Sequence, residues 1–176
     1  GAYFECDAEE GRKAFLHRFA IAGAETIAAA AARRAAVRGE DTAVARLVDV
    51  EAAVDVLGGK VEFEHGEEGR EWDILEYLLR NAVAQALRPR IRELDFTPLI
   101  EALDGTTTIT DGATVTAREF LDGLPVLEEP LYDDIARAFH AESDGERAAA
   151  IELAVEALYL TQKISKDSGE GETIYG

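Results

Sequence analysis

The stretch from Ser143 to Ile164 does most to limit what this chain can fold into. Ser143 and Glu146 stand at the spacing of a capping box, which opens a helix by satisfying its first free N–H groups. Ile151, Val155 and Leu158 then form one apolar stripe, and Leu153, Ala157, Leu160 and Ile164 form another on nearly the opposite side. Glu152, Glu156, Tyr159 and Lys163 make the single polar stripe between them. A helix that is apolar on two sides is buried on two sides, so the other elements must be arranged around it.

Helical periodicity recurs elsewhere. Ala24 to Val37 consists of strong helix formers and ends at Gly39, a C-cap residue. A shorter helix is predicted from Val50 to Leu57, closed by Gly58 and Gly59. From Glu71 to Leu87 one face carries Trp72, Leu75, Leu79, Ala82, Val83 and Ala86, and Pro89 is expected to end that helix. Asp95 can cap a helix from Phe96 to Leu103 with Pro98 in its first turn, and Thr116 with Glu119 forms a second capping box. Pro125 and Pro130 frame a linker into a helix bearing Leu131, Ile135 and Phe139. Two extended segments interrupt this pattern. Val61 to Glu64 alternates apolar and acidic residues, the mark of a short half-exposed strand. Residues 106–115 place two β-rich runs around Asp111-Gly112, the favoured pair for a type I′ turn, and predict a β-hairpin. The tail from Ser168 to Glu172 reads as flexible.

The fold class is therefore mainly α: a helical domain with a β-hairpin insertion, leaving room for two subdomains that meet near Gly58 to Gly69. The chain of 176 residues is 47% hydrophobic and 31% charged, which is globular composition. No apolar run reaches the ~18 residues of a membrane span, and the acidic N-terminus is no signal peptide, so the expected compartment is the cytoplasm. The absence of Met and the start at Gly1 suit a fragment or a processed chain.

Charge excludes a further class. Acidic residues number 36 against 18 basic ones, a net −18 that repels phosphate backbones and argues against nucleic acid as a partner. Only four of the basic residues are Lys. An acid-rich, Lys-poor surface suits a high-salt, halophilic cytoplasm, where counterions screen self-repulsion.

Catalytic motifs are sparse. Gly58-Gly59-Lys60-Val61 lacks the spacing and the hydroxyl of a phosphate-binding loop. Arg46 interrupts Ala43 to Asp49, the one run that could serve as a Walker B strand. Cys6 is the single cysteine, which rules out an intrachain disulfide and a Cys-based metal site. His17, His65 and His140 have no metal-ligand spacing. Glu62, Glu64, Glu67, Glu68 and Glu71 could attract a hard cation such as Mg²⁺, or form a solvated acidic edge.

Three stretches together resemble a known family. They are Ala24-Glu25-Thr26-Ile27 with Arg33-Arg34 and Gly39-Glu40; Gly59 to Glu64 with Glu68-Gly69-Arg70-Glu71; and Leu160 to Asp167. In this order and spacing, over roughly Phe15 to Gly176, the chain resembles the region that follows the AAA+ module in ATPases similar to the magnesium-chelatase I subunit and to MoxR proteins. The resemblance implies residues 1–58 as a helical lid-like segment and 59–176 as a C-terminal helical domain. It implies ATP and Mg as cofactors of a longer parent only, a homo-oligomeric ring, the AAA+ core of the same protein as a partner, and a second partner carrying a von Willebrand factor A domain. Arg18 matches the place of the family's sensor-2 arginine, just before the helix at Ala24–Val37, although Lys13 to Leu16 stands where the family has a Gly/Val/Ser run. Arg70 reads either as a partner-facing residue or as part of a salt bridge at a helix N-terminus. The competing function is a free-standing acidic helical interaction module without ATPase activity. A third class, an independent enzyme using the Glu62–Glu71 carboxylates, has the least support.

Overall fold

A computed structural model describes residues 8–58, 69–105, 107–169 and 171–176, with the side chains of residues 8–16, 55, 71 and 76 outside that description. Seven helices and three short strands follow one another among these residues: α1 (Ala8–Arg38), α2 (Leu47–Gly58), α3 (Glu71–Ile91), α4 (Thr97–Leu103), β1 (Ile109–Gly112), α5 (Ala117–Asp122), α6 (Leu131–Phe139), α7 (Asp144–Leu160), β2 (Lys166–Gly169) and β3 (Glu172–Tyr175).

Helix α7 holds the centre. It packs against α2, α3, α5 and α6, and its Ile151, Ala154 and Val155 are fully buried. Around it Leu99, Ile109, Phe120, Leu131, Ile135 and Tyr175 complete one apolar core. Both capping boxes are formed: Ser143 Oγ accepts from Glu146 N, and Thr116 Oγ1 accepts from Glu119 N. Helices α1 and α2 face each other through small buried residues, Ala31, Ala35 and Ala53. Gly23 lies inside α1 facing Leu57 of α2, and an added Cβ would come 3.6 Å from Leu57 Cδ1, an ordinary van der Waals contact. Helix α1 starts well before Ala24, and it ends as expected at Gly39, whose φ of 71° lets Glu40 N reach back to Ala35 O at 2.9 Å.

Other boundaries depart from the sequence reading. Helix α3 runs through Pro89 to Ile91. A proline removes only its own N–H, and near a helix end the residues beyond it can keep helical bonds, as Arg92 N does to Arg88 O at 3.1 Å. Helix α7 stops at Leu160, not Ile164. Gln162 takes a left-handed φ of 59°, and Lys163 N bonds Leu158 O at 2.9 Å while Gln162 N bonds Tyr159 O at 2.8 Å. That is a Schellman ending built without glycine. His140 ends α6 in the same manner at φ 56°.

The sheet departs most. Residues 107–115 do not form the hairpin expected over 106–115. Strand β1 pairs antiparallel with β3, Ile109 opposite Tyr175 and Gly112 opposite Glu172, in a sheet of order β1-β3-β2. The hairpin is instead β2–β3, within the tail that reads as flexible, with Lys166 opposite Tyr175. Asp111-Gly112 is not a turn because Gly112 meets the distant tip of that hairpin. Its φ is 141°, and a Cβ there would lie 2.3 Å from Gly171 O. The extended segment expected at Val61 to Glu64 lies outside the described residues.

Candidate functional site

The two acids of the polar stripe of α7 do not face water. Glu152 and Glu156 are each 1% exposed, in the middle of the core helix. A buried carboxyl needs donors or a proton, and three groups of side chains supply them.

Arg46, on the loop leading into α2, is 2% exposed. Its Nε donates to Glu152 Oε1 at 2.5 Å, one terminal nitrogen to Asp111 Oδ1 at 2.9 Å, and the other to Val115 O at 2.6 Å. Its guanidinium carbon also lies 5.8 Å from the centre of the Phe120 ring. Leu47 N donates to the second oxygen of Glu152 at 3.2 Å. One arginine thus joins the start of α2, the strand β1 and the helix α7.

The second group is centred on Arg34 of α1, which donates to Asp49 at 3.0 Å, to Glu40 at 2.6 Å and to Val44 O at 2.7 Å. Asp49 in turn accepts from Arg46 N at 2.9 Å, capping α2, and Glu40 accepts from Ala117 N at 2.8 Å, at the start of α5. The third group surrounds Glu156, which accepts from Arg80 of α3, from Lys166 Nζ at 2.9 Å and from Tyr175 Oη at 2.7 Å. Lys166 also sits 5.3 Å from the ring centres of both Tyr159 and Tyr175. Among the described residues no buried side-chain nitrogen or oxygen lacks a hydrogen-bond partner.

Around Arg46 the charges do not balance, because one guanidinium faces two carboxyls, Asp111 and Glu152. A proton on one of them offsets the excess, and Glu152 is where the environment places it. Burial, then the neighbouring Asp111, push its carboxyl from the ordinary 4.5 to about 8, against the pull of Arg46 and Leu47 N. Burial also raises Asp111, with Arg46 opposing. Glu156 goes the other way: burial pushes it up, but Tyr175, Lys166 and Arg80 outweigh burial and hold it below the usual carboxylate range.

Beside this network a cleft of about 280 Å³ lies between α2, α3 and the sheet, lined by Glu51, Arg80, Asp111, Lys166, Thr173 and Tyr175 among others. Its charged groups are already engaged with one another. The arrangement is suited to fixing the relation of α1 and α2 to the C-terminal elements.

The residues singled out by sequence fall elsewhere. Arg18 is exposed on α1, within the continuous helix and not just before it. Arg70 is exposed at the N-cap of α3 and its side chain makes no capping bond. His17 and His140 are exposed, and no metal-holding group of His, Cys, Asp and Glu occurs among the described residues. Cys6, Lys60, Glu62, Glu64, His65, Glu67 and Glu68 lie outside the described residues, and Glu71 begins α3. Residues 43–46 are loop and α2 starts at Leu47, so no strand occupies the Ala43 to Asp49 run. Arg46 reads in the sequence as an interruption of that run. The signal that points to its role is the Glu152/Glu156 pair, two acids one turn apart in a helix apolar on both flanks. No helix among the described residues is long and apolar enough to cross a membrane. No protein-family model matches the chain, and no curated protein or solved structure matches it.

Proposed function

We propose that this chain is the C-terminal helical part of a magnesium-chelatase-like AAA+ ATPase, completing or regulating an ATP-driven motor whose nucleotide site lies in a longer parent. The observation that carries this reading is the ion network that fastens the α1–α2 segment to the rest of the chain. Arg34 and Arg46 on one side meet Asp111, Ala117 and Glu152 on the other, directly or through Glu40. A displacement of α1 would therefore be passed on to α5, α7 and the sheet.

Arg18 stands on the same helix as Arg34, sixteen residues away, or about 24 Å along the axis. In this reading α1 is a lever, with an exposed arginine for the nucleotide of the parent at one end and the ion network at the other. ATP and Mg are cofactors of the parent, and the AAA+ core, a ring of identical subunits and a protein with a von Willebrand factor A domain are its partners. The cytoplasm is the compartment this implies. The isolated chain is expected to leave ATP unhydrolysed. A purified sample that turns over ATP, with activity tracking the protein peak, would overturn the assignment. The second reading, a free-standing acidic interaction module, is favoured by Val126, which is 99% exposed. The coding frame upstream of Gly1 separates the two, since a Walker A motif there belongs only to the first.

A further inference from the structure

An apolar groove of about 370 Å³ lies where the α5–α6 loop crosses α7, lined by Leu121, Leu124, Val126, Leu127, Tyr132 and Ile151 among others. Val126 projects from it at 99% exposure, although Pro125 beside it is buried. The loop is pinned in place, because Tyr132 Oη donates to Pro125 O at 3.0 Å. Leu124 and Leu127, on either side of Val126, are half-buried and continue the apolar floor.

The rim is acidic. Glu128 and Glu129 are exposed and make no ion pair among the described residues. Asp122 lies 4.0 Å from Arg118, both largely exposed, and Asp133 holds Arg147 at 2.6 Å. That last pair settles the one arginine in the groove, so the unspent charge on the rim is negative. A second copy meeting this groove face to face would set Glu128 and Glu129 against its own Glu128 and Glu129.

We infer that the Leu124–Val126–Leu127 groove is a docking site for a basic amphipathic helix of a protein partner. Its apolar side chains would enter beside Val126, and its Lys or Arg residues would meet Glu128 and Glu129. A groove between helices receives a helix by presenting a floor to its i, i+3, i+4 and i+7 side chains, while rim charges select the partner and set the on-rate. This inference does not depend on the ATPase assignment.

The test uses the whole chain and a fluorescein-labelled peptide of Leu and Lys, about five turns long, with Leu at i, i+3, i+4 and i+7. A scrambled peptide of identical composition controls for attraction to the net negative charge. Anisotropy titration at about 0.15 M KCl should give affinity at least about tenfold tighter for the amphipathic peptide than for the scrambled one. Val126→Asp, and separately Glu128→Lys with Glu129→Lys, should each remove most of that difference without changing the circular-dichroism spectrum. Equal binding of the two peptides overturns the proposal, as does unchanged binding by both variants. Sedimentation that reveals a dimer abolished by Val126→Asp also overturns it, and makes a second copy the occupant.

Discussion

Replacing Arg46 by Met keeps an unbranched apolar stem and removes every donor the Arg46 side chain offers. Glu152, Asp111 and Val115 O all lose a partner at once, inside a core where Arg46 is 2% exposed. Breaking a buried ion pair from one side costs about 3–5 kcal/mol. The carboxyls can limit that cost by taking protons. With its carboxyl raised to about 8, Glu152 already carries a proton for most of the time at pH 7. Asp111 must acquire one, and for a carboxyl of ordinary unfolded pKa that costs about 4 kcal/mol at pH 7 and about 1.6 kcal/mol at pH 5. The orphaned Val115 carbonyl adds about 1 kcal/mol or more at either pH. Arg46→Met should therefore lose about 3–5 kcal/mol at pH 7, roughly 10 °C in Tm for a chain of this size, and about 2 kcal/mol less at pH 5. Urea unfolding followed by circular dichroism at the two pH values reads both numbers. A loss below about 1 kcal/mol at pH 7, or the same loss at both pH values, would refute the claim that Arg46 neutralises the buried Asp111 carboxylate.

Three further outcomes follow from the same structure. Because the folded-state value for Glu152 lies above its unfolded value, the native state binds the extra proton between about 4.5 and 8. Its contribution to stability is full below 4.5 and is lost as pH rises through 8, with a slope of at most about 1.4 kcal/mol per pH unit. Glu152→Gln, which mimics the protonated form, should flatten this part of the pH–stability curve, and a slope unchanged in the variant would place the proton elsewhere. Gly112→Ala should destabilise by about 2 kcal/mol or more, since φ 141° and a Cβ 2.3 Å from Gly171 O both oppose it. Exchange of the β1 and β3 amides would accelerate, and an unchanged pattern would deny the close approach. Finally, Tm should rise between about 0.1 and 2 M KCl as salt screens the −18 charge, and a flat or falling Tm would count against a surface suited to high salt.

Much of the helical scaffold was legible because it rests on local rules. The capping boxes at Thr116 and Ser143, the glycine end at Gly39 and the two-sided stripe of α7 are each complete within one or two turns. What escaped depends on residues far apart. Asp111-Gly112 carries the composition of a hairpin turn, yet its partner is Gly171, brought in from the end of the chain. Gln162 and His140 adopt left-handed backbone that propensity assigns to glycine, so the end of α7 is placed four residues late by pattern alone. The buried network is hidden for the same reason. Arg46 and Glu152 are separated by 106 residues, and each by itself looks like a surface charge. Only the confinement of Glu152 and Glu156 to an otherwise apolar helix hinted that those acids would need internal partners.

The lever reading of α1 is tested most directly at Arg18. It is exposed on α1, so Arg18→Ala in the isolated chain should change stability by no more than about 0.5 kcal/mol, as at an ordinary surface site. In the longer parent the same substitution should cut ATP hydrolysis by about a hundredfold or more, because an arginine at the transferred phosphate stabilises charge that develops during the reaction. The decisive measurement is the steady-state ATP turnover of the parent with and without Arg18→Ala, alongside urea unfolding of the isolated variant. Lost turnover with an intact fold is the predicted result. A parent that keeps its rate, or an isolated chain that unfolds, would contradict the account.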